Sequence, residues 1–211
     1  MILNDFKGKV FAGDSQVSQI YHGTVPLWAD EVLDLSQDTQ IAFLFDTTGS
    51  MSRYLSNVKS LATAVARKAE ELESNVQYAL SGFKDQNSEG FAPLRDFTDI
   101  DTLIGAMPTY FTGGGDLPEN GFGAIVNAES AFSWDPEFSH SIFLFTDATS
   151  NTKGATQQMA LNSLNAINAS FHYGTAQSAG YGDLATATNG FYFSNYADFE
   201  SKIEAQQQAA E

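Results

Sequence analysis

Two apolar runs that each end in an aspartate constrain the fold of this chain more than any other feature. Residues 41–45 (Ile-Ala-Phe-Leu-Phe) lead into Asp46, and residues 142–145 (Ile-Phe-Leu-Phe) lead through Thr146 into Asp147. An unbroken apolar run of this length is typical of a strand that is buried on both faces, as in a parallel sheet. Since parallel strands end at the same edge of the sheet, the two carboxylates can point at one place.

From residue 36 onward, segments with the apolar periodicity of strands alternate with segments that have the apolar periodicity of helices. Helical periodicity predicts helices over residues 52–74, 100–107, 121–132, 156–169, 181–188 and 197–209. Strands are predicted at residues 41–45, 76–83, 141–147, 170–174 and 190–193, with a short edge strand at 91–97. This order predicts an α/β domain with a doubly wound, mostly parallel, Rossmann-like sheet and helices on both faces.

Residues 1–35 have a different character. Short apolar runs punctuated by Gly-Asp and Gly-Thr predict two or three short strands and a linker. A segment of this size is too small to bury a core alone, so we expect it to dock on something larger. The predicted division is a small β docking segment over 1–35 and an α/β domain over 36–211.

Composition excludes several classes of function. The chain has 26 acidic and 10 basic residues and a formal net charge of −16, which argues against nucleic acid as a partner because phosphate binding needs Lys and Arg. The absence of cysteine excludes disulfides, thiol catalysis and cysteine-based zinc sites. No apolar stretch approaches the length of a membrane span, so none is expected.

The segment after the first apolar run carries oxygen ligands at alternate positions. Asp46, Thr48 and Ser50 offer one carboxylate and two hydroxyls, an all-oxygen set of the kind that hard divalent cations prefer. The alternative is that the polar residues cap the following helix, with Ser50 or Ser52 as the cap. Further along, three successive glycines at 113–115 predict a loop whose backbone passes close to another part of the protein.

Three motifs in this order resemble a von Willebrand factor A domain with its metal-ion-dependent adhesion site (MIDAS), over about residues 40–205. They are residues 46–51 (Asp-Thr-Thr-Gly-Ser-Met), residues 112–119 (Thr-Gly-Gly-Gly-Asp-Leu-Pro-Glu) and residues 143–147 (Phe-Leu-Phe-Thr-Asp). The Gly-Gly-Gly-Asp-x-Pro-Glu form is similar to the A domains of hemicentin-like and alpha-kinase-linked proteins.

The resemblance implies a set of metal ligands and a partner. Asp46, Thr48, Ser50 and Asp147 match the first and third motifs. In the second motif Asp116 stands where many members have a threonine, so Asp116 or Thr112 is the ligand, and we favour Asp116. Glu119 and Asp85 are expected to have structural or surface roles. The implied cation is Mg²⁺, with Mn²⁺ or Ca²⁺ as alternatives, and the implied partner is a protein or surface that offers a carboxylate to the cation.

Residues 9–28 resemble a short β module of phage tail and virion-associated proteins. This implies that residues 1–35 dock to other virion proteins and that the protein lies on the virion or another extracellular face. The alternatives are an ordinary N-terminal β-hairpin, and a location on a bacterial cell surface or in the cytoplasm.

The sequence therefore predicts a non-enzymatic adhesion module of a phage tail, fibre or neck, which contacts the host surface or another virion protein. One alternative is a purely structural subunit whose metal stabilises the fold or a subunit contact. A metal-dependent phosphohydrolase is disfavoured, because Thr48 stands where the Asp-x-Asp-x-Thr pattern needs a second carboxylate. His22, His140 and His172 occur in unlike contexts and are not expected to be catalytic.

Overall fold

The computed structural model describes most of the chain as two compact units, Met1–Glu31 and Val32–Glu211. The described residues are 2–4, 10–12, 15–16, 20–22, 25–28, 38–71, 75–85, 90–114, 118–150, 152, 154–175 and 179–210.

The first unit contains five short strands among its described residues. They are β1 (Ile2–Asn4), β2 (Val10–Ala12), β3 (Ser15–Gln16), β4 (Ile20–His22) and β5 (Val25–Trp28). β1, β2 and β3 form an antiparallel sheet in that order, and β4 pairs with β5 as a separate antiparallel ribbon. The prediction of two or three strands was wrong in number. Strands of two to four residues are too short to show the alternation that separates a strand from a turn in sequence.

The second unit is built on one six-stranded sheet. Its strands are β6 (Thr39–Asp46), β7 (Val76–Phe83), β8 (Phe91–Thr98), β9 (Ser139–Thr146), β10 (Ala169–Thr175) and β11 (Tyr192–Phe193). Their order is β11-β10-β9-β6-β7-β8, and all neighbours are parallel except β7 and β8. β6 therefore lies inside the sheet between β7 and β9, which explains why its sequence is apolar on both faces.

Among the described residues, six α-helices cover this sheet. They are α1 (Leu55–Glu71), α2 (Ile100–Ala106), α3 (Gly121–Ala131), α4 (Gln157–Ala166), α5 (Ala179–Ala187) and α6 (Tyr196–Ala210). A 3₁₀ helix, Gly49–Tyr54, precedes α1. The first residues of the helix predicted over 52–74 are therefore 3₁₀-helical rather than α-helical. The predicted doubly wound α/β sheet is confirmed.

Alternate residues of each inner strand enter two separate cores. Ile41, Phe43 and Phe45 face a core shared with α1, α2 and α6, whereas Ala42 and Leu44 face a core shared with α3, α4 and α5. The first core is rich in aromatic rings, which pack in tilted and edge-to-face pairs around Phe43 and its neighbours. β6 is packed on both faces by these two cores, and this packing positions its last residue, Asp46.

The two edges of the sheet differ from its centre. β8 is the antiparallel edge strand, and its pairing with β7 contains two register irregularities. Pro93 lies within it, and most of its residues are exposed. β11, at the opposite edge, has only two residues. Among the described helices, none is both long enough and apolar enough to cross a membrane.

Candidate functional site

The carboxyl ends of β6 and β9 place acidic and hydroxyl groups side by side. Asp46 is the last residue of β6, and Thr146 is the last residue of β9, which pairs with β6 in parallel register. Asp147 follows directly. Parallel pairing therefore brings together residues that are 100 positions apart in sequence, as the Thr146 to Asp46 hydrogen bond shows. The convergence is a direct product of the sheet topology.

Asp46 is fully buried and accepts hydrogen bonds on both carboxylate oxygens. Its Oδ1 accepts from the backbone N–H of Thr48 at 2.9 Å and from the Thr48 hydroxyl at 2.6 Å. Its Oδ2 accepts from the Thr146 hydroxyl at 2.7 Å. Burial raises the pKa of the Asp46 carboxyl above its ordinary value, and nearby Asp147 adds to this, although the hydrogen bonds from Thr48 and Thr146 act in the opposite direction.

The hydroxyls of Thr48 and Ser50 lie 3.1 Å apart, and each also contacts a carboxylate. Thr48 Oγ1 donates to Asp46, and Ser50 Oγ donates to Asp147 Oδ1 at 3.0 Å. A hydroxyl has one proton. With both protons directed to carboxylates, the lone pairs of the two hydroxyl oxygens remain available to a further partner.

The alternative that these hydroxyls cap the helix is not what the structure shows. Thr48 is the N-cap residue of the 3₁₀ helix, but its side chain makes no capping hydrogen bond. The Ser50 hydroxyl is directed at Asp147, as described above. Ser52 Oγ donates to the backbone carbonyl of Phe111 at 2.8 Å and so fastens the helix to the glycine-rich loop instead.

The glycine-rich loop is packed against this cluster, as its sequence predicted. The backbone N–H of Gly49 donates to the carbonyl of Gly113 at 2.9 Å, and the N–H of Thr112 donates to the carbonyl of Thr47 at 3.0 Å. Gly114 has φ of +82°, and a Cβ at this position would lie 2.9 Å from Thr48 Cγ2. Only glycine can bring the loop this close to Thr48 without strain.

Of the two predicted ligands of the second motif, the structure describes Thr112 but not Asp116. Thr112 has an exposed side chain and borders a groove of about 410 Å³, next to Thr47 and Lys84, while its backbone is held by Thr47. Asp116 lies outside the described residues. The structure therefore brings together Asp46, Thr48, Ser50 and Asp147, and it places Thr112 on the adjoining surface.

Two residues beside the cluster were not assigned to it from sequence. Thr146 bonds Asp46, as noted, and its signal in the sequence is a hydroxyl residue immediately before Asp147. Glu119 is 4% exposed, and the pKa of its carboxyl is raised to about 7 by burial and by the carboxylates of Asp46, Asp85 and Asp147. Asp85 is also buried. Glu119 is the last residue of the second motif, but nothing in the sequence next to it indicates that it is buried near other carboxylates.

The two histidines of the second unit lie away from the cluster and have structural surroundings. The ring nitrogens of His140 contact the backbone carbonyls of Ile167 and Asp135. His172 is fully buried between the rings of Phe143 and Phe191. The side chain of His22 is outside the described part of the chain.

Arg53 reaches the cluster from the solvent side. Its guanidinium lies 3.5 Å from Asp147 Oδ2, and the Arg53 side chain is 70% exposed. Solvent screens a pair of this kind, so it offsets little of the negative charge of the cluster.

Comparisons with known proteins agree with this geometry. A family model described as von Willebrand factor A domain matches residues 40–171. The von Willebrand factor A domain-containing protein 7 of Rattus norvegicus is 33% identical over 121 residues, which is 56% of this chain and 13% of that protein. The human protein of the same name is 31% identical over 131 residues, which is 61% of this chain and 14% of that protein. The chain thus spans a small part of the length of these relatives.

Solved structures show the same fold at low sequence identity. Proximal thread matrix protein 1 from the mussel byssus, with a zinc-occupied MIDAS motif, has a TM-score of 0.64 and 16% identity, over 85% of this chain and 47% of that one. An aerotolerance-related membrane protein from Bacteroides fragilis has a TM-score of 0.56 and 14% identity, over 82% of this chain and 98% of that one. Because the family model matches more than half of the chain, including most of the six-stranded sheet, the chain belongs to the von Willebrand factor A domain family.

Proposed function

We propose that the A domain binds a divalent cation at the carboxyl edge of its sheet and uses this cation to hold a carboxylate of a partner. Asp46, Thr48, Ser50 and Asp147 would hold the cation, together with Asp116 or Thr112 from the second motif. The cation supplies a positive charge with exchangeable coordination positions, to which a partner carboxylate can bind.

The observation that carries the proposal is the pair of hydroxyl oxygens of Thr48 and Ser50. They are 3.1 Å apart, and the protons of both are directed to carboxylates. Neighbouring ligands of an octahedral Mg²⁺ ion, with metal–oxygen distances of about 2.1 Å, are about 3.0 Å from each other. The donor set of this chain therefore fits a small hard cation without rearrangement of these two side chains.

Mg²⁺ is the cation that we favour, with Mn²⁺ and Ca²⁺ as alternatives. Carboxylates, hydroxyls and water are the ligands that Mg²⁺ prefers, and it retains several waters that a partner group can replace. The mussel byssus protein named above carries zinc in its MIDAS motif, so Zn²⁺ belongs in the same comparison.

We propose a binding role without catalysis. The hydroxyls of Thr48 and Ser50 are engaged with carboxylates, and the described histidines lie in the core or against backbone carbonyls rather than beside them. Activation of a hydroxyl as a nucleophile requires an adjacent general base. In this cluster the carboxylate that accepts the hydrogen bond from the Thr48 hydroxyl, Asp46, is buried and already hydrogen-bonded on both oxygens.

The proposal is tested by calorimetric titration of the protein with Mg²⁺, Mn²⁺, Ca²⁺ and Zn²⁺. Ser50→Ala removes one ligand at an exposed position and should weaken cation binding at least about tenfold, whereas Ser56→Ala, at an exposed position in α1, should bind as the wild type does. No binding by the wild-type protein at millimolar cation would refute the proposal.

At a finer level, we propose that the protein is a virion component that displays its A domain to a host surface, with residues 1–35 docked to other virion proteins. The support is the resemblance of residues 9–28 to phage tail modules and the compact β unit at Met1–Glu31. Immunogold labelling of purified particles tests the location. Loss of host-cell binding on addition of a chelator tests whether the cation makes the contact.

A structural role for the same cation is the second candidate. It is favoured by the convergence of segments that are far apart in sequence, since Ser50 and Asp147 are joined across 97 positions. A cation at this point would cross-link β6 and β9. In that case a chelator should lower the melting temperature or separate subunits, and it should leave attachment to host cells unchanged.

A further inference from the structure

A groove adjoins the proposed cation site on the side of β7 and β8. Its volume is about 410 Å³, within the range of about 300 to 1,000 Å³ that is usual for ligand sites in proteins. Thr47 and Thr112 border the groove. Because Thr47 stands between Asp46 and Thr48 in the chain, a ligand held at the cation site would have the groove immediately beside it.

The groove is open at the sheet because Gly82 has no side chain. Gly82, in β7, pairs with Ala92 in β8. A Cβ at position 82 would lie 3.0 Å from Thr47 Cγ2 and 3.9 Å from Leu94 Cδ1, so these two side chains flank the space over the glycine. Glycine within a strand marks a place where another group can approach the backbone closely. A partner side chain can therefore reach the sheet at this point.

Exposed apolar side chains line the groove. Three large hydrophobic side chains are exposed in the described part of the chain, Leu94, Tyr110 and Met159, and the first two belong to this groove. Tyr110 is 72% exposed, although Met107 and Phe111 on either side of it are buried in the first core. Exposed apolar side chains that cluster beside polar groups mark an interaction surface, and tyrosine is prominent among the residues that dominate binding there.

The charge of the groove differs from that of the whole chain. The chain has a formal net charge of −16, but Lys84 is the only charged residue among the described residues that line the groove. Its Nζ lies near the glycine-rich loop, since a Cβ at Gly113 would be 3.5 Å from it. Lys84 and a bound cation would both place positive charge beside the apolar lining, which favours an acidic partner and disfavours a basic one.

We propose that the groove around Gly82, Leu94 and Tyr110 binds an extended segment of a partner protein, in which an acidic residue stands within two positions of a leucine or an aromatic residue. The inference rests on the proposed function, since the acidic residue would bind the cation, and it adds the chemistry by which the partner is selected. One residue of an extended chain spans about 3.3 to 3.6 Å, so a side chain one or two positions from the acid reaches the groove beside Thr47. The acid makes binding cation-dependent, and the apolar side chain makes it selective.

The test uses the full chain and fluorescein-labelled hexapeptides that carry one aspartate in a glycine–serine background. Leucine, phenylalanine, serine or lysine is placed in turn at each of the two positions before and after the aspartate. By fluorescence anisotropy in Mg²⁺, we expect the leucine and phenylalanine peptides to bind at least about tenfold more tightly than the serine peptides at one or more positions, the usual gain from burial of such a side chain. The lysine peptides should bind most weakly, and a chelator should abolish all binding.

Two variants of the groove complete the test. Ala92→Trp fills the groove from an exposed position of β8, and Tyr110→Ser removes the exposed ring. In both we expect the leucine and phenylalanine peptides to bind no better than the serine peptides, while the affinity for Mg²⁺ stays that of the wild type. Met159→Ser is the matched control, because it removes an exposed apolar side chain from α4, and it should keep the wild-type preference.

The possible failures are distinguishable. If the wild type binds no cation, the proposed function fails together with this inference. If it binds the cation but no peptide, or binds all the peptides equally, the cation site stands and the groove does not select the partner. If Ala92→Trp and Tyr110→Ser keep the preference, or if Met159→Ser loses it, the preference arises elsewhere on the surface and the inference is overturned.

Discussion

Replacement of His172 by phenylalanine should reduce the acid sensitivity of the second unit. The imidazole of His172 stacks on Phe143 with a centroid distance of 4.7 Å and meets Phe191 edge-on at 4.5 Å. Its Nε2 lies 3.0 Å from Ser170 Oγ, and its Nδ1 has no hydrogen-bond partner among the described residues. Burial lowers the pKa of His172 from 6.5 to about 3.

The sign of the effect follows from proton binding in the two states. Between about pH 6.5 and pH 3 the unfolded chain binds a proton at His172 and the folded protein does not, so stability falls as the pH falls through this window. Each pH unit corresponds to about 1.4 kcal/mol. At about pH 4.5, two units below the ordinary pKa, the contribution of His172 to the loss of stability is therefore about 2 to 3 kcal/mol.

The assay is urea unfolding of the wild type and His172→Phe at about pH 7 and about pH 4.5. The substitution itself changes packing and removes the contact with Ser170, so the two proteins will differ at neutral pH. All other titrating groups are common to both, so the difference between their pH-dependent losses isolates His172. We expect the wild type to lose about 2 to 3 kcal/mol more than the variant, and equal losses in the two proteins would refute the reasoning.

Two glycine positions provide further tests of the close contacts described above. Gly114→Ala should weaken cation binding, because its Cβ would lie 2.9 Å from Thr48 Cγ2 at a φ of +82°. Gly105→Ala is the control and should leave cation affinity unchanged, because a Cβ at Gly105 would have nothing within 4 Å. Calorimetric titration compares the two variants, and equal affinities would contradict the role of the loop. Gly121→Ala should lower the melting temperature, because its Cβ would clash with Tyr181 Oη. Adding Tyr181→Phe should restore part of the loss, and no recovery would show that the clash lies elsewhere.

The architecture of the second unit was predictable because it depends on local patterns. The apolar run before Asp46 and the similar run before Asp147 identify two buried strands, and parallel pairing of β6 with β9 then places the two aspartates at the same edge of the sheet. The approach of the glycine-rich loop was predictable for the same kind of reason, since successive glycines remove the side chains that would prevent it.

The position of Glu119 was not predictable in this way. Its burial depends on a bridge to Ser150 and on a hydrogen bond from Asn120 to Lys84, both made between segments that are far apart in sequence. A glutamate that follows a glycine-rich loop usually lies on the surface, and only the assembled fold shows that Glu119 is buried. The number of strands in the first unit was missed for a different reason, since strands of two to four residues are too short to show a clear alternation in sequence.

The two ends of the six-stranded sheet have a consequence for behaviour at high concentration. Unpaired edge strands can recruit strands from neighbouring molecules and so begin aggregation. In this domain β8 has Pro93, which offers no backbone N–H, together with the exposed charged residues Arg95 and Asp96, and β11 offers only two residues for pairing. These edges therefore disfavour polymerisation of crowded copies of the domain through their sheets.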